Sequence, residues 1–286
     1  MRLGSHVSVA GKIYLAVARA KAIGCQTMQI FSGNPRSWQP AVYSGDDVSE
    51  FKKRRRAAGI DPVAIHLPYL VNLGSASAGI HRQSIAAVLA NLEQAKILGA
   101  NYLVVHAGSH AGAGSEKGLA AIKAALTEIL NQPFGGVVLL LENTAGSRYA
   151  LGSKMEDLAG IFEHFGIDSR LGLCLDTCHA FAAGYDLAGD QGLNGLLDKI
   201  DRLFGLEKLK FMHLNDCRGR LGSGTDRHEH IGKGFIGMDG FRRLVNHPRL
   251  QNIAGVIETP KMGSEDDGRN LALLRQAKMK QNYHTI

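Results

Sequence analysis

The sequence lacks two features that would place it in a membrane or outside the cell. No stretch of its 286 residues approaches the roughly 18 uncharged apolar residues of a membrane-spanning helix. The first residues, MRLGSHVSVAGK, lack the apolar core of a secretory signal. We therefore expect a cytoplasmic protein that has no membrane partner.

Cysteine is also scarce, with four residues in the chain, at Cys25, Cys174, Cys178 and Cys217. In an intracellular enzyme of this size we expect reduced thiols rather than a disulfide framework. Cys174 and Cys178 have the spacing of some metal ligands, but no second cysteine pair completes a tetrahedral site. We interpret both as buried residues beside a functional site.

A low-complexity linker is absent too, and so is a glycine-rich dinucleotide fingerprint after the first predicted strand. The net charge is +7, which permits binding to nucleic acid or another polyanion without requiring it. The densest basic segment, KKRRR at 52–56, lies in a polar helical stretch that ends at Gly59. A solvated helix face is the favoured interpretation of this segment.

Short strand-like segments alternate with longer amphipathic segments along the chain, such as a predicted helix over residues 82–100. This alternation predicts an α/β protein with a parallel sheet. Eight strands suit a closed (β/α)8 TIM barrel better than an open sheet, and we predict one barrel domain over residues 1–286. The predicted strands are RLGSHVSV (2–9), CQTMQIF (25–31), VAIHLP (63–68), YLVVHAG (102–108), VVLLLENT (137–144), LGLCLDT (171–177), LKFMHLND (209–216) and AGVIETP (254–260).

Polar side chains with metal-binding chemistry recur at the carboxyl ends of most predicted strands. In a barrel these ends meet on one face, where active sites lie. Buried carboxylates and imidazoles are costly unless they are paired or metal-bound, so their recurrence at one level favours a polynuclear metal site over isolated core residues. The residues are His66, His106, Glu142, Asp176, His179, His213 and Glu258, joined by Asp226, His228 and His230 from the irregular stretch 217–236.

The ligand chemistry narrows the choice of metal. A mixture of imidazoles and carboxylates suits zinc, manganese or iron better than magnesium, which prefers oxygen. Carboxylates can bridge ions, and a pair of ions roughly 3.5–4 Å apart is common in phosphoester hydrolysis. Stretches 32–45 and 180–193 are also expected to be irregular, and loops of this length in a barrel are often functional.

Six segments together resemble the endonuclease IV family, the zinc-dependent apurinic/apyrimidinic (AP) endonucleases of base-excision repair. The segments are GSHVS, IHLPYLVNLGS, LENTAG, LCLDTCHAFAAGYD, HLNDCRGRLGSGTDRHEHIGKG and IETP, which extend over nearly the whole chain. The resemblance implies a (β/α)8 barrel with three zinc ions, with Mn²⁺ or iron as alternatives at some positions. Its ligand sets are His66, His106 and Glu142; then Glu142 as a bridge with Asp176, His213 and Glu258; then His179, Asp226 and His228, with His230 left outside.

The same resemblance implies deoxyribonuclease IV activity on double-stranded DNA. Two zinc ions, held by Glu142 and Glu258 among others, would activate a water molecule that lies between them. This water would attack the phosphorus 5′ to an abasic site, and the third zinc would stabilise the departing oxygen. The products would be a 3′-hydroxyl and a 5′-deoxyribose phosphate. The family also implies 3′-phosphodiesterase activity on 3′-blocked ends, and we expect a monomer.

Three further residues match positions that the family inserts into DNA. Arg36 lies in FSGNPRSW, and Tyr69 and Leu70 lie in IHLPYLVNLG, where they would fill the gap left by a flipped abasic nucleotide. Packing at the start of a helix is the alternative role for Tyr69 and Leu70. Two positions depart from the family pattern, since Ser37 stands where glutamine is expected and Arg218 where lysine is common.

Two other functions fit part of this pattern. A sugar isomerase or epimerase on a similar barrel would also use strand-end His, Asp and Glu. Such an enzyme has less need for the DRH segment at residues 226–228 or for a basic surface. A nucleic-acid-binding protein with a structural zinc would have a closed site of four ligands, often rich in cysteine. The number of candidate ligands exceeds what such a structural site requires.

Overall fold

Eight parallel strands form a closed barrel in this computed structural model, which describes residues 1–279. The strands of the barrel are β1 (Arg2–His6), β2 (Thr27–Phe31), β3 (Val63–His66), β4 (Tyr102–His106), β5 (Val138–Glu142), β6 (Leu171–Asp176), β7 (Leu209–His213) and β10 (Ala254–Ile257). Two short strands, β8 (Asp216–Cys217) and β9 (His228–Glu229), pair as an antiparallel hairpin after β7. The predicted barrel and all eight of its strands are confirmed, and β1 closes the ring by pairing with both β2 and β10.

Helices follow the strands and cover the outside of the barrel. They are α1 (Tyr14–Ala22), α2 (Gly45–Ala58), α3 (Ala78–Leu98), α4 (Ser115–Leu130), α5 (Met155–Phe165), α6 (Thr177–Ala182), α7 (Asp190–Phe204), α8 (Gly237–Asn246) and α9 (Asp266–Met279). The helix predicted over 82–100 begins earlier, after Ser77, and ends at Leu98 because Gly99 adopts a left-handed conformation with φ 67°. No helix among the described residues is long and apolar enough to cross a membrane.

Alternation along the strands divides the core into two parts. Leu139 and Leu141 of β5 pack into the large cluster between strands and helices, whereas Leu140 between them belongs to a small cluster inside the barrel. Because successive side chains of a strand point to opposite faces, the residue two positions after Leu140 also points inward. That residue is Glu142. The small inner cluster consists of Ala64, Val104, Leu140, Cys174, Phe211, Ala254 and Val256.

The basic segment 52–56 lies in the last half of α2, as its helical pattern indicates. Arg55 donates to the carbonyl of Ile60 (3.1 Å) and to that of Gly99, next to the ends of α2 and α3. Lys53 and Arg56 are exposed. The carboxyl end of a helix carries partial negative charge, so Arg55 stabilises the ends of two helices. The segment is on the amino-terminal side of the barrel, away from the strand-end residues.

The stretch 180–193 was expected to be irregular, and this expectation is wrong at both ends. Residues 180–182 belong to α6, because Asp176 caps that helix by accepting the backbone N–H of His179 at 2.7 Å. Residues 190–193 form the first turn of α7. The connection between the two helices is therefore short. The stretch 217–236 contains the β8–β9 hairpin but is otherwise free of regular structure up to α8.

Candidate metal centre

The strand-end residues meet at the carboxyl end of the barrel because each lies two positions beyond a side chain of the inner cluster. Ala64 is followed by His66, Leu140 by Glu142, and Phe211 by His213. The same period of two places the other strand-end ligand candidates on the inner face. The apolar inner cluster excludes these polar groups from the interior of the barrel, so the groups lie against one another at its carboxyl end. The pairs that complete this pattern are Val104 and His106, Cys174 and Asp176, and Val256 and Glu258.

Glu142 lies at the centre of this convergence and is buried. Its Oε2 atom is 3.0 Å from His66 Nε2 and 3.2 Å from His106 Nε2. Its Oε1 atom faces the other way, 2.9 Å from His213 Nδ1 and 3.3 Å from His179 Nδ1. One carboxylate therefore presents its two oxygens to two different groups of imidazoles, which is the geometry that a bridging ligand requires.

Five groups of three side chains have ligand atoms within 4.8 Å of one another. Three of them concern the expected ligands: the first group is His66, His106 and Glu142, the second is Asp176, His213 and Glu258, and the third is His179, Asp226 and His228. In the second group His213 Nδ1 is 3.7 Å from Asp176 and 3.3 Å from Glu258. In the third group Asp226 lies 3.2 Å from His179 Nε2 and 3.5 Å from His228 Nε2. The three groups match the sets that the family resemblance implies, in which Glu142 also belongs to the second set.

Hydrogen bonds behind the imidazoles orient their free nitrogens toward the centre. The Nδ1 atoms of His66, His179 and His228 face the backbone carbonyls of Leu67 (2.7 Å), Asn143 (2.9 Å) and Glu258 (3.1 Å). Donation of the N–H to a carbonyl leaves an Nε2 lone pair, the form that binds a metal ion. His228 Nε2 is buried and has no hydrogen-bond partner. Such a donor set and such an orphaned nitrogen fit a metal ion.

His213 is oriented in the opposite sense. Its Nε2 atom faces the Gln29 side-chain oxygen at 2.9 Å, so Nδ1 is the nitrogen that points at the carboxylates. Gln29 also donates to Glu258 at 2.6 Å. Sequence inspection missed Gln29, although it is two residues from the end of its strand and thus shares the inward face. Asn215, also missed, donates to Asp176 at 2.6 Å and accepts from the backbone N–H of Glu258 at 2.7 Å.

The charges of these groups are strongly coupled. Burial alone would raise the pKa of Glu142, but the imidazoles of His213 and His106 hold it well below its usual range. Burial alone would lower the pKa of His179, but Asp176 and Asp226 raise it well above its ordinary value. Protonated imidazoles therefore neutralise the carboxylates when no cation is bound. A metal ion would take over this role and displace those protons.

The hairpin loop is attached to the barrel by Asp216, which is fully buried. Its carboxylate accepts five backbone N–H groups that follow it in the chain. This arrangement positions Asp226 and His228, which the same loop carries. The donors are Cys217 (2.8 Å), Gly232 (2.9 Å), Gly234 (2.9 Å), Ile236 (3.0 Å) and Gly237 (3.4 Å).

Tyr69 and Leu70 lie near the centre without entering it. Tyr69 is 67% exposed and its ring lies 6.2 Å from that of His106, while Leu70 is 39% exposed. Both residues occupy a turn well before α3, so they do not pack at the start of a helix. Arg36 is exposed in the loop after β2. Tyr69 also borders a cleft of about 650 Å³ that His6, Phe31 and Lys261 help to line.

His230 lies apart from the three groups, as expected. Its Nδ1 atom is 3.0 Å from the side-chain nitrogen of Asn270. All four cysteines are buried and unpaired by disulfides, as predicted. The Cys178 thiol lies in hydrogen-bonding contact with the sulfur of Cys217, and this contact raises the pKa of Cys178 and lowers that of Cys217.

Comparisons with known sequences agree with this geometry. A family model described as a xylose isomerase-like TIM barrel matches residues 17–279. A "Probable endonuclease 4" of Methanoculleus marisnigri is 44% identical over 275 residues, covering 96% of this chain and 98% of that protein. A protein of the same name from Chloroflexus aurantiacus is 43% identical and covers 96% of this chain and 97% of its own length.

Solved structures extend the comparison. Endonuclease IV from Thermus thermophilus superposes with a TM-score of 0.86 at 41% identity, covering 98% of this chain and all of that one. A D-tagatose 3-epimerase-like protein has a TM-score of 0.74 at 20% identity, covers 99% of this chain and 98% of its own, and shares the fold alone. With relatives above 40% identity over nearly their whole length, this chain belongs to the endonuclease IV family.

Proposed function

We propose that this protein is an AP endonuclease that hydrolyses the phosphodiester bond 5′ to abasic sites in double-stranded DNA. The products would be a 3′-hydroxyl and a 5′-deoxyribose phosphate. The same phosphate geometry would serve removal of 3′-blocking groups. The observation that carries the proposal is the position of Glu142, whose two oxygens face two separate groups of imidazoles. The names of the endonuclease 4 relatives support DNA as the substrate.

We further propose that the three groups hold three zinc ions, with manganese or iron as alternatives at some positions. Zinc ions supply the positive charge that acidifies water and stabilises negative charge on a reacting phosphate. The chain supplies the geometry around them. Glu142 joins the first and second groups, and the second and third groups lie side by side, with His228 Nε2 3.8 Å from Asp176.

The surrounding side chains keep the ligands ready for this chemistry. Backbone carbonyls fix the ring orientation of His66, His179 and His228, and Gln29 fixes that of His213. Asn215 holds Asp176 and the backbone of Glu258 in place. Ligands held in this way need little rearrangement when charge develops on the substrate, which is the main electrostatic contribution of an enzyme.

Substrate recognition would come from the loops around the centre. Tyr69 and Leu70 present exposed aromatic and apolar surface beside His106, where they could fill the gap left by a flipped nucleotide. Arg36 would approach the DNA from the loop after β2. The net charge of +7 favours a polyanionic substrate.

The test combines metal analysis with two substrates. Purified protein should contain more than two metal equivalents per chain and should cut an abasic duplex, leaving a 3′-hydroxyl that a polymerase extends. The same preparation should leave ketoses unchanged. Isomerisation of a ketose without incision would instead establish the sugar isomerase, and full incision activity with one metal equivalent would reject the trinuclear centre.

A further inference from the structure

Two buried thiols lie next to ligands of the third group. Cys178 is in the first turn of α6, Cys217 is in β8, and both are fully buried. The Cys178 sulfur lies 3.5 Å from the carbonyl of Arg227 in the hairpin loop, and the same carbonyl accepts the backbone N–H of Arg218, the residue after Cys217, at 2.9 Å. Helix α6 packs against β8 of the hairpin.

Each of the two cysteines is a neighbour of a ligand of the third group. Cys178 immediately precedes His179 in the chain, and Cys217 is the cross-strand partner of His228. The Cys178 sulfur also lies within 4.8 Å of ligand atoms of Asp176 and His228. A covalent bond between the two sulfurs would therefore restrain the position of His179 relative to His228.

We propose that Cys178 and Cys217 are a redox modification site, at which a peroxide oxidises the two thiols to a disulfide that weakens metal binding by the third group. The two S–H bonds break and one S–S bond forms. Two protons and two electrons pass to hydrogen peroxide, whose O–O bond breaks to give two water molecules. A thiol reductant reverses the step by thiol–disulfide exchange.

The expected effect on the metal follows from bond lengths. Sulfur atoms in non-bonded contact are roughly 3.5–4 Å apart, whereas a disulfide requires about 2.05 Å. Forming the bond imposes disulfide geometry on both side chains and thereby restrains α6 against the hairpin. A zinc site tolerates deviations of about 0.2 Å in its ligand distances. The oxidised protein should therefore hold the third ion far more weakly.

Access for the oxidant comes from the hairpin itself. Its strands pair over two residues each, so local opening of this loop costs less than opening of the barrel. Cys25 provides a contrast, because it lies just before β2, at the opposite end of the barrel from the centre. Oxidation of Cys25 would leave the third group undisturbed.

The experiment uses zinc-loaded protein treated with graded hydrogen peroxide. Free thiols are blocked by alkylation, and peptide mass mapping without reduction then identifies the linked cysteines. Metal content is measured after desalting, before oxidation, after it, and after reduction with added zinc. We expect a Cys178–Cys217 linked peptide, loss of about one metal equivalent per chain, and recovery of that metal on reduction.

Two variants separate this site from general oxidative damage. Cys217→Ser removes one partner and should keep its metal at peroxide concentrations at least about tenfold above those that release it from the parent protein. Cys25→Ser should behave like the parent. The proposal is overturned if no linked peptide forms, if the linked form retains all its metal, or if Cys217→Ser loses metal as readily as the parent.

The inference rests on the proposed third metal ion but not on DNA as substrate. The metal content of the reduced protein is measured first, so a missing third ion would reject the proposed centre separately. The linked peptide is detected without any activity assay. Failure of the redox site and failure of the proposed function therefore give different results.

Discussion

At the scale of single residues, Glu142 is the side chain on which most of the proposed chemistry depends. Replacing Glu142 by Gln should reduce incision by at least about a thousandfold, equivalent to roughly 4 kcal/mol of barrier. The amide keeps the size of the side chain but loses the charge that two groups of imidazoles face. Steady-state cleavage of an abasic duplex gives the rate, and circular dichroism checks that the barrel is intact.

The matched control for this change is Glu163→Gln. Glu163 is exposed on α5, so the same chemical replacement should leave incision and metal content unchanged. Near-normal turnover by the Glu142 variant would reject its role as a bridge between two groups.

Protonation of the imidazoles should govern metal uptake. The pKa of His179 is raised well above 6.5 because Asp176 and Asp226 outweigh the effect of burial. In the metal-free protein this imidazole therefore keeps its proton at neutral pH, and a metal ion must displace it. We expect apparent zinc affinity to rise with pH through and beyond 6.5. Competition with a chelator at several pH values measures it, and a flat profile above 6.5 would contradict this prediction.

The sequence predicted which residues would meet at the strand ends, because a period of two along each strand is visible in the order of the residues alone. Their role as ligands stays a prediction. Gln29 and Asn215 could not be identified in the same way, since an amide carries no metal signature and becomes meaningful only beside His213 or Asp176. Hydrogen-bond partners from distant strands depend on the closed ring, which no local pattern specifies.

At the scale of elements, the loop after β7 depends on one buried carboxylate. Asp216→Asn should destabilise the protein by about 1–3 kcal/mol, because an amide nitrogen would replace an oxygen that accepts at least two backbone N–H groups. It should also weaken the third ligand group, which this loop carries. Urea unfolding and metal analysis measure the two effects.

Asp239→Asn is the control for the loop anchor. Asp239 is 72% exposed on α8 and pairs with Arg242, and exposed ion pairs contribute about 0–1 kcal/mol. Equal destabilisation by both variants would mean that Asp216 acts as an ordinary polar residue and not as an anchor.

Helix boundaries were predicted least well where a polar side chain sets them. The stretch 180–193 has no long amphipathic pattern, so the extent of α6 was not predicted, although a helix capped by Asp176 was an alternative role for that residue and the cap is present. A six-residue helix is too short to show a period of 3.6 residues. The β8–β9 hairpin was missed for a similar reason, because its strands have two residues each.

The turn after β3 should act in recognition and not in catalysis of the cleavage itself. The double variant Tyr69→Ala, Leu70→Ala should keep its full metal content, because neither side chain belongs to the three groups. It should bind abasic duplex more weakly by on the order of 1–3 kcal/mol, by analogy with base–aromatic stacking. Filter binding to abasic and undamaged duplexes, with metal analysis of the same preparation, measures this.

The comparison between duplexes decides the outcome. Undamaged duplex has no gap to fill, so its binding should weaken less, and cleavage of a small phosphodiester should change little. Equal losses on all substrates would mean that Tyr69 and Leu70 support the centre itself, and the proposed insertion into DNA would then be wrong.

At the scale of the whole molecule, the cations lie on both ends of the barrel but have different surroundings. At the amino-terminal end, Lys52, Arg55 and Arg56 line a cleft beside Gly59 and Gly99, where the carboxyl ends of α2 and α3 supply negative charge. Arg55 is already bonded there to backbone carbonyls. This end of the molecule thus has less excess positive potential than its count of cations implies.

The loops at the carboxyl end of the barrel carry exposed arginines. Arg36 follows β2, and Arg148 follows β5 and lies over the ring of Tyr149 at 5.0 Å. If DNA docks on this end, these side chains are available to its phosphates. Each phosphate contact contributes about 0.9 to the slope of log K against log salt concentration.

The salt dependence of binding should therefore identify the docking face. The double variant Arg36→Gln, Arg148→Gln should bind duplex DNA more weakly and reduce the slope by up to about 1.8, whereas Lys52→Gln, Arg56→Gln removes equal charge and should leave the slope unchanged. Fluorescence anisotropy at several salt concentrations gives both slopes. Because the two variants have the same net charge, overall charge cannot explain a difference between them. If both double variants reduced the slope equally relative to the parent protein, DNA would bind through diffuse charge. A smaller slope in the Lys52→Gln, Arg56→Gln variant alone would place DNA on the end opposite the metal centre.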